Sequence, residues 1–396
     1  MISNRVFLGM LLALFSVLPS MAAPALDAKG CATAYEAGQD YFAAKSQIEF
    51  SDNFSVAYFG NYKIVTVDRP YPGGQPEHYV LVQCGTPSPD LGPDMANVPR
   101  ISVPVQSLFS GSTAQAPALV TVGGLKALTG VARRDFIATP EVIAQMETAG
   151  VVEYETSGVV DIEAVVAARP DVFMAGGSGE AEIQRLAATG IAVVNFADWQ
   201  DTSPLGRAEW VKFMGLFFNA EAKADESFAE VAKRYAAAEA LVSGVAEDDK
   251  PFVLSGQAFG GVFFAAGGKS FIAQLIADAG GRYIFADNTS TGSFEIHDLE
   301  QLVTRAREAS VWIQAAMTYR SLADIAAENP RLAALPAAQA GEVWIPDALK
   351  GPNGGVQFYE LGTMRPDLVL LDLISILYPE KLPGYQRVFN RAITID

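Results

Sequence analysis

From Ser203 to Gly244 the chain carries one pattern for about forty residues. Apolar side chains recur at Val211, Met214 and Phe218, then at Phe228, Val231, Tyr235, Ala238 and Val242. Spacing of three and four is the helix period. A straight helix of that length runs about 60 Å, so it must cross the molecule and cannot lie inside one core. Asn219 interrupts the stretch and can kink the helix or cap a second one. On either side, short apolar strands alternate with helical patterns. "RISVPV", "PALVTVGGLKALTG", "DIEAVVAARPDVFMAG" and "IQRLAATGIAVVNF" come before; "KPFVLSG" and "HDLEQLVTRAREASVWIQAA" come after. Such alternation predicts parallel sheets covered on both faces. A chain of 396 residues also exceeds one ordinary core. The expectation is an α/β protein with two Rossmann-like lobes joined by a long helix: lobes at 100–203 and 244–396, the helix at 204–243.

The remainder precedes the first lobe. Arg5 followed by the apolar run Val6 to Leu18 and then "PSMAAPA" has the pattern of a secretory leader, here 1–23 and cleaved near residues 22–25. The mature chain is therefore expected outside the cytoplasm. Residues 24–99 read as a β-rich extension, with "FSVAYFGNYKIVTV" alternating across Gly60-Asn61 and "HYVLVQCG" as a further strand. Cys31 and Cys84 are the two cysteines, and an even number in an oxidising compartment predicts one disulfide. Closing that loop contributes about 4 kcal/mol. Lys29 and Asp27 stand before Cys31 where a lipid-attachment motif has small and apolar residues, so no lipid anchor is read. With 45 acidic against 28 basic residues the net charge is −17, which disfavours nucleic acid and anionic membranes as partners.

Little here predicts catalysis. "FFAAGGKS" looks like a phosphate loop, but Phe263 occupies the position where the motif has its first glycine. There are two histidines, His78 and His297, and "GGSGE" lacks the last glycine of a nucleophile elbow because Glu180 stands there. No histidine cluster suggests a bound metal, and no cofactor is expected. What the strand ends do supply is aromatic and cationic side chains: Arg134, Trp199, Phe264, Phe294, Arg320 and Tyr359. At the carboxyl ends of parallel strands such residues form a ligand wall and pair with anionic groups. The halves also resemble each other. Asp161-Ile-Glu163 and Asp298-Leu-Glu300 each open a helix, placing an exposed acid in matching first turns.

In order and spacing, "TGVARRD", "DIEAVVAARPDVFMA", "LAATGIAVVNF", "SPLGRAEWVKFMGLFF", "FFAAGGKSFIAQLIADAGGRYIF", "FEIHDLEQLV" and "LPAAQAGEVWIP" resemble the class III periplasmic substrate-binding proteins of ABC importers. The resemblance runs from about Arg100 to the C-terminus. It implies a receptor, expected as a monomer, for a ferric siderophore, haem or cobalamin, with a permease and its ATPase as partners. It places Arg134, Phe264, Phe294 and, with Glu360, Tyr359 in the pocket, and assigns Glu163 and Glu300 to docking on permease arginines. It also implies that Lys269 and Ser270 begin a helix. The sequence departs from the family where Asn219 replaces a helix glycine and Asp298 a serine. Neither residues 31–100 nor the loop "KGPNGGVQFYELGTMRPDL" has a counterpart in it. Two alternatives stand beside the receptor: a secreted α/β enzyme using carboxylates such as Glu360 and Asp347, and a surface module in which residues 30–100 bind a protein.

Overall fold

The computed structural model describes residues 23–148, 150–176 and 181–395; the leader pattern lies almost wholly outside them. The extension forms a four-stranded sheet. Strands β1 (Phe54–Phe59), β2 (Tyr62–Val67) and β3 (Glu77–Gln83) make an antiparallel meander, and β4 (Arg100–Val103) adds in parallel to β3. From its sequence β4 opens the first lobe; in the structure it closes the extension, because Val80 to Gln83 offer it a buried edge.

The first lobe follows as a five-stranded parallel sheet in the order β11-β10-β5-β6-β7. Its members are β5 (Leu108–Ser110), β6 (Leu128–Val131), β7 (Val152–Glu153), β10 (Val172–Ala175) and β11 (Val193–Asn195). A small hairpin, β8 (Glu155–Thr156) and β9 (Val159–Val160), stands apart. Helices α1 (Gln115–Val122), α2 (Pro140–Thr148), α3 (Ile162–Ala168) and α4 (Ala181–Ala188) connect the strands.

The long helical stretch is two helices, not one rod. α5 (Pro204–Phe218) ends at Asn219, which adopts a left-handed φ of 51°, and α6 (Glu221–Ala240) begins at once. The helices fold back on each other: Lys212 Nζ lies 4.6 Å from the ring centre of Phe228. A Cβ on Gly215 would sit 2.9 Å from that of Ala224, so the crossing needs glycine there. Of the two, α6 joins the lobes. Its first half (Phe228, Val231) packs in one core and its second half (Tyr235, Ala238) in the other. Its length is about 30 Å.

The extension has no core of its own. Phe54, Val65, Leu81 and Ile101 share one cluster with Leu119 of α1 and Trp210 and Phe213 of α5, each such buried side chain worth about 2 kcal/mol. Polar contacts reinforce the joint. The buried Glu209 carboxylate accepts from the backbone N–H groups of Glu49, Phe50 and Ser51 at 3.0, 2.8 and 2.8 Å. Lys63, fully buried, donates to Leu216 O at 2.7 Å and Asn219 Oδ1 at 2.9 Å, and pairs with Glu221. One extension lysine thus caps α5 and fixes the first residue of α6. Cys31 and Cys84 form the expected disulfide, so the Cys31 sulfur is engaged there.

The second lobe has a mixed sheet. β12 (Phe252–Phe259) lies parallel to β14 (Arg282–Tyr283) and β16 (Val311–Ile313) along its first half. Along its second half it turns away as a hairpin with β13 (Val262–Ala266), which pairs β15 (Ser293–Ile296). The strand divides at Gly256, whose φ of 138° only glycine adopts readily and where a Cβ would meet Phe264 O at 2.3 Å. Helices α7 (Phe271–Asp278) and α8 (Leu299–Ala306) complete the core, with the C-terminal helix Pro366–Leu377 packed on α6. The glycines of "AAGGKS" serve packing: a Cβ on Gly267 or Gly268 would strike backbone oxygens of Ser290 and Asn288 at 2.2 and 2.4 Å. Ser270 caps α7.

Candidate functional site: a cleft between the lobes

Two adjoining cavities of about 350 and 360 Å³ lie between the lobes, sharing Arg207, Phe271, Ile272, Gln314 and Tyr359 in their walls. Arg207 stands in the first turn of α5. Its Nε donates to Asp201 O at 2.8 Å and its Nη2 to Trp199 O at 2.7 Å. Its guanidinium carbon lies 3.7 Å from the ring centre of Phe271 on α7, so a cation–π contact bridges first-lobe and second-lobe walls. Burial lowers its pKa to about 10, while Asp198 and Asp201 partly restore the charge. Asp198 is itself buried at the cleft floor, and desolvation raises its pKa to about 6 against the pull of Arg207. Among the described residues these two are the charged side chains lining the cleft.

The remaining surface is aromatic or neutral. Trp199 forms part of the first-lobe wall, its indole donating to Gly176 O at 2.9 Å. Phe264 belongs to the second cavity. Ser255 Oγ is buried in that wall without a hydrogen-bond partner among the described residues, and Gln314 holds a left-handed φ of 54° at the end of β16. An unpartnered hydroxyl at a cavity wall is a group a ligand can satisfy.

Tyr359 reaches the cleft on the loop "KGPNGGVQFYE", which ties the second lobe to the first. Glu360 accepts from Ala138 N at 2.7 Å and Thr139 Oγ1 at 2.6 Å. Gln357 donates to Ala138 O at 2.7 Å, and Asn353 to Ile137 O and Asp135 O. A Cβ on Gly351 would lie 2.2 Å from Ala138 O, so the clasp closes onto bare backbone.

The structure thus brings Trp199, Phe264 and Tyr359 together and leaves Arg134, Phe294 and Arg320 outside these walls. The Arg134 guanidinium holds Met146 O and Val151 O at the end of α2. Phe294 packs edge-on against Phe285 at 5.4 Å. Arg320 donates to Met317 O at 2.6 Å and lies 3.8 Å from Asp347. Glu360 and Asp347 do not converge on the cleft: Glu360 is held by Ala138 N and Thr139 Oγ1 ahead of α2, and Asp347 is held by Arg391 and Lys350. Glu163 and Glu300 are exposed in the first turns of α3 and α8, where Asp161 and Asp298 cap with their side chains; Glu300 also lies 3.2 Å from Arg331. Arg207, Phe271, Asp198 and Gln314 had escaped the sequence reading. Asp198, adjacent to Trp199 at a strand end, carried the one usable signal.

Residues 112–348, more than half of the chain, match the family model for periplasmic binding proteins. The chain belongs to that family. Two uncharacterised lipoproteins of Methanocaldococcus jannaschii are 28% and 24% identical over 56% and 57% of this chain, and 50% and 56% of their own. The chain spans about half the length of the curated relatives it matches. Among solved structures, a periplasmic haem-binding protein of Pseudomonas aeruginosa aligns with a TM-score of 0.56 at 20% identity, covering 73% of this chain and 98% of that one. A periplasmic vitamin B12 binding protein of Vibrio cholerae aligns with a TM-score of 0.51 at 14% identity, over 70% and 99%. These similarities show the two-lobed fold, and both matched structures are of periplasmic ligand-binding proteins.

Proposed function

We propose that this periplasmic binding protein captures a metal chelate of low net charge between its lobes and delivers it to an ABC importer. The carrying observation is the charge of the cleft: Asp198 and Arg207 compensate each other against walls of Trp199, Phe264, Phe271 and Tyr359. A highly anionic ferric catecholate requires several cations around it, and among the described residues this cleft holds one, Arg207. A haem, a corrinoid or a neutral ferric hydroxamate presents the broad apolar faces such walls suit. Arg207 would meet one carboxylate or carbonyl of the ligand, with Gln314 and Ser255 as neutral partners. Lobe motion would be small, because α6 packs in both cores and the 353–360 clasp links the lobes. Export by the N-terminal leader and docking through Glu163 and Glu300 complete the reading.

The test is a tryptophan-fluorescence titration of the mature protein with haem, cobalamin, ferric hydroxamate, ferric catecholate and ferric citrate. Saturable quenching by one of the first three, weakened about tenfold or more in Arg207→Gln, is the expected result. Preference for the catecholate or citrate complex would overturn the charge argument.

A further inference from the structure

A separate cavity, of about 380 Å³, lies where the extension meets the first lobe and shares no lining residue with the cleft. Its floor is a polar cluster on β3 and β11. Glu77 accepts from the Tyr79 hydroxyl and from Asn195 Nδ2, the latter at 2.9 Å, while the Asn195 N–H donates to the Tyr79 oxygen at 2.9 Å. Asn195 is only 3% exposed, yet its Oδ1 has no partner among the described residues. Tyr79 is fully buried, and burial reinforced by Glu77 keeps its phenol protonated. The Tyr79 hydroxyl and the Asn195 backbone N–H are already donated, whereas Asn195 Oδ1 is an acceptor left unused among the described residues. The apolar walls include Tyr71, Pro76, Pro99, Ile183 and Val193, and the polar side chains of Asp94, His78, Asn97 and Gln184 also line the cavity. No lysine or arginine is among the lining residues, against two carboxylates.

The geometry points to a binding site for a small organic ammonium ion at this junction, its N–H groups on Glu77 and Asn195 Oδ1 and its apolar body against the proline, tyrosine and aliphatic walls. An unpartnered buried acceptor is stabilised by a donor, and an acidic floor selects a charged one. The Tyr71 and Tyr79 rings add attraction for a cation. Anionic ligands meet Glu77 and Asp94 with no lysine or arginine in the lining to offset them. The volume sits at the small end of ligand sites, which fits one ring with a short amine chain.

Isothermal titration calorimetry of the mature protein with 2-phenylethylammonium, against neutral 2-phenylethanol and anionic 3-phenylpropionate, tests the proposal. The ammonium should bind saturably and the other two should not. Glu77→Gln should weaken it about tenfold or more, since hydrogen bonds to a charged group are the stronger ones. Glu308→Gln, an exposed charge removed elsewhere, should leave it unchanged. Should Glu77→Gln fail to fold, Asp94→Asn on the exposed rim should still weaken binding severalfold. Failure of the ammonium to saturate in the millimolar range, binding of the alcohol equal to it, or indifference to both substitutions would overturn the site. A floor satisfied by water alone gives the first of these results.

Discussion

Asp198 carries a measurable consequence at the scale of a single side chain. Its pKa is raised from 3.8 to about 6 by burial. A carboxyl whose folded pKa lies above its unfolded value is a liability when ionised. The folded state holds the extra proton between about pH 4 and 6, so this group's contribution to stability improves as pH falls through that window and is worst above it. Asp198→Asn removes the titration. The stability of the variant relative to wild type should therefore decline between pH 7.5 and 4.5, by about 2 kcal/mol. Urea unfolding at the two pH values checks it; a constant difference would mean that Asp198 is not desolvated. Lys63 gives the opposite kind of test. Lys63→Met should cost about 3–5 kcal/mol by leaving the Glu221 carboxylate and Leu216 O buried and unpaired, whereas Lys63→Met with Glu221→Leu should recover much of that. Its cation, unlike those of surface lysines, is already committed to a helix end. Arg134 reads as a free cation in the sequence, but it closes onto carbonyls of Met146 and Val151, which only folding brings within its reach.

Among the elements, the clasp of residues 353–360 has the largest effect on the cleft. It carries Tyr359 into the wall and, through Glu360, satisfies the buried Ala138 N–H and Thr139 hydroxyl just before α2. Glu360→Ala leaves the Ala138 N–H and the Thr139 hydroxyl without partners, at about 3 kcal/mol in total. Hydrogen exchange at the Ala138 amide should accelerate more than tenfold; unchanged protection would show that the lobes are held by α6 alone. The divided helix teaches a related lesson. Its three–four periodicity is real on both sides of Asn219, yet periodicity does not report a change of direction when one left-handed residue supplies it. The misplaced strand β4 has the same cause: an apolar run of four announces a strand without naming its neighbour.

For the whole molecule, the extension is part of the first lobe, because Phe54, Val65 and Leu81 share a core with Trp210 and Phe213. The pseudo-symmetric placement of Glu163 and Glu300 belongs to this scale too, since docking would need both lobes presented together. Changing both to alanine should abolish uptake in cells and leave chelate affinity within twofold of wild type, exposed side chains being near neutral to the cleft. Unimpaired uptake would remove them from the docking surface.

The sequence by itself determined whatever depends on neighbours within a turn or two. Strand–helix alternation, the caps at Asp161, Ser270 and Asp298, and hence the two-lobed α/β class were all legible there; the disulfide was legible from the cysteine count instead. Only the tertiary structure decided which side chains face the ligand and which are already occupied. Glu360 finds its partner Ala138 across 222 residues, and Lys63 reaches Glu221 across 158. The physical reason is that a charge declares its chemistry locally, but its availability depends on burial and on partners that arrive only when distant segments pack.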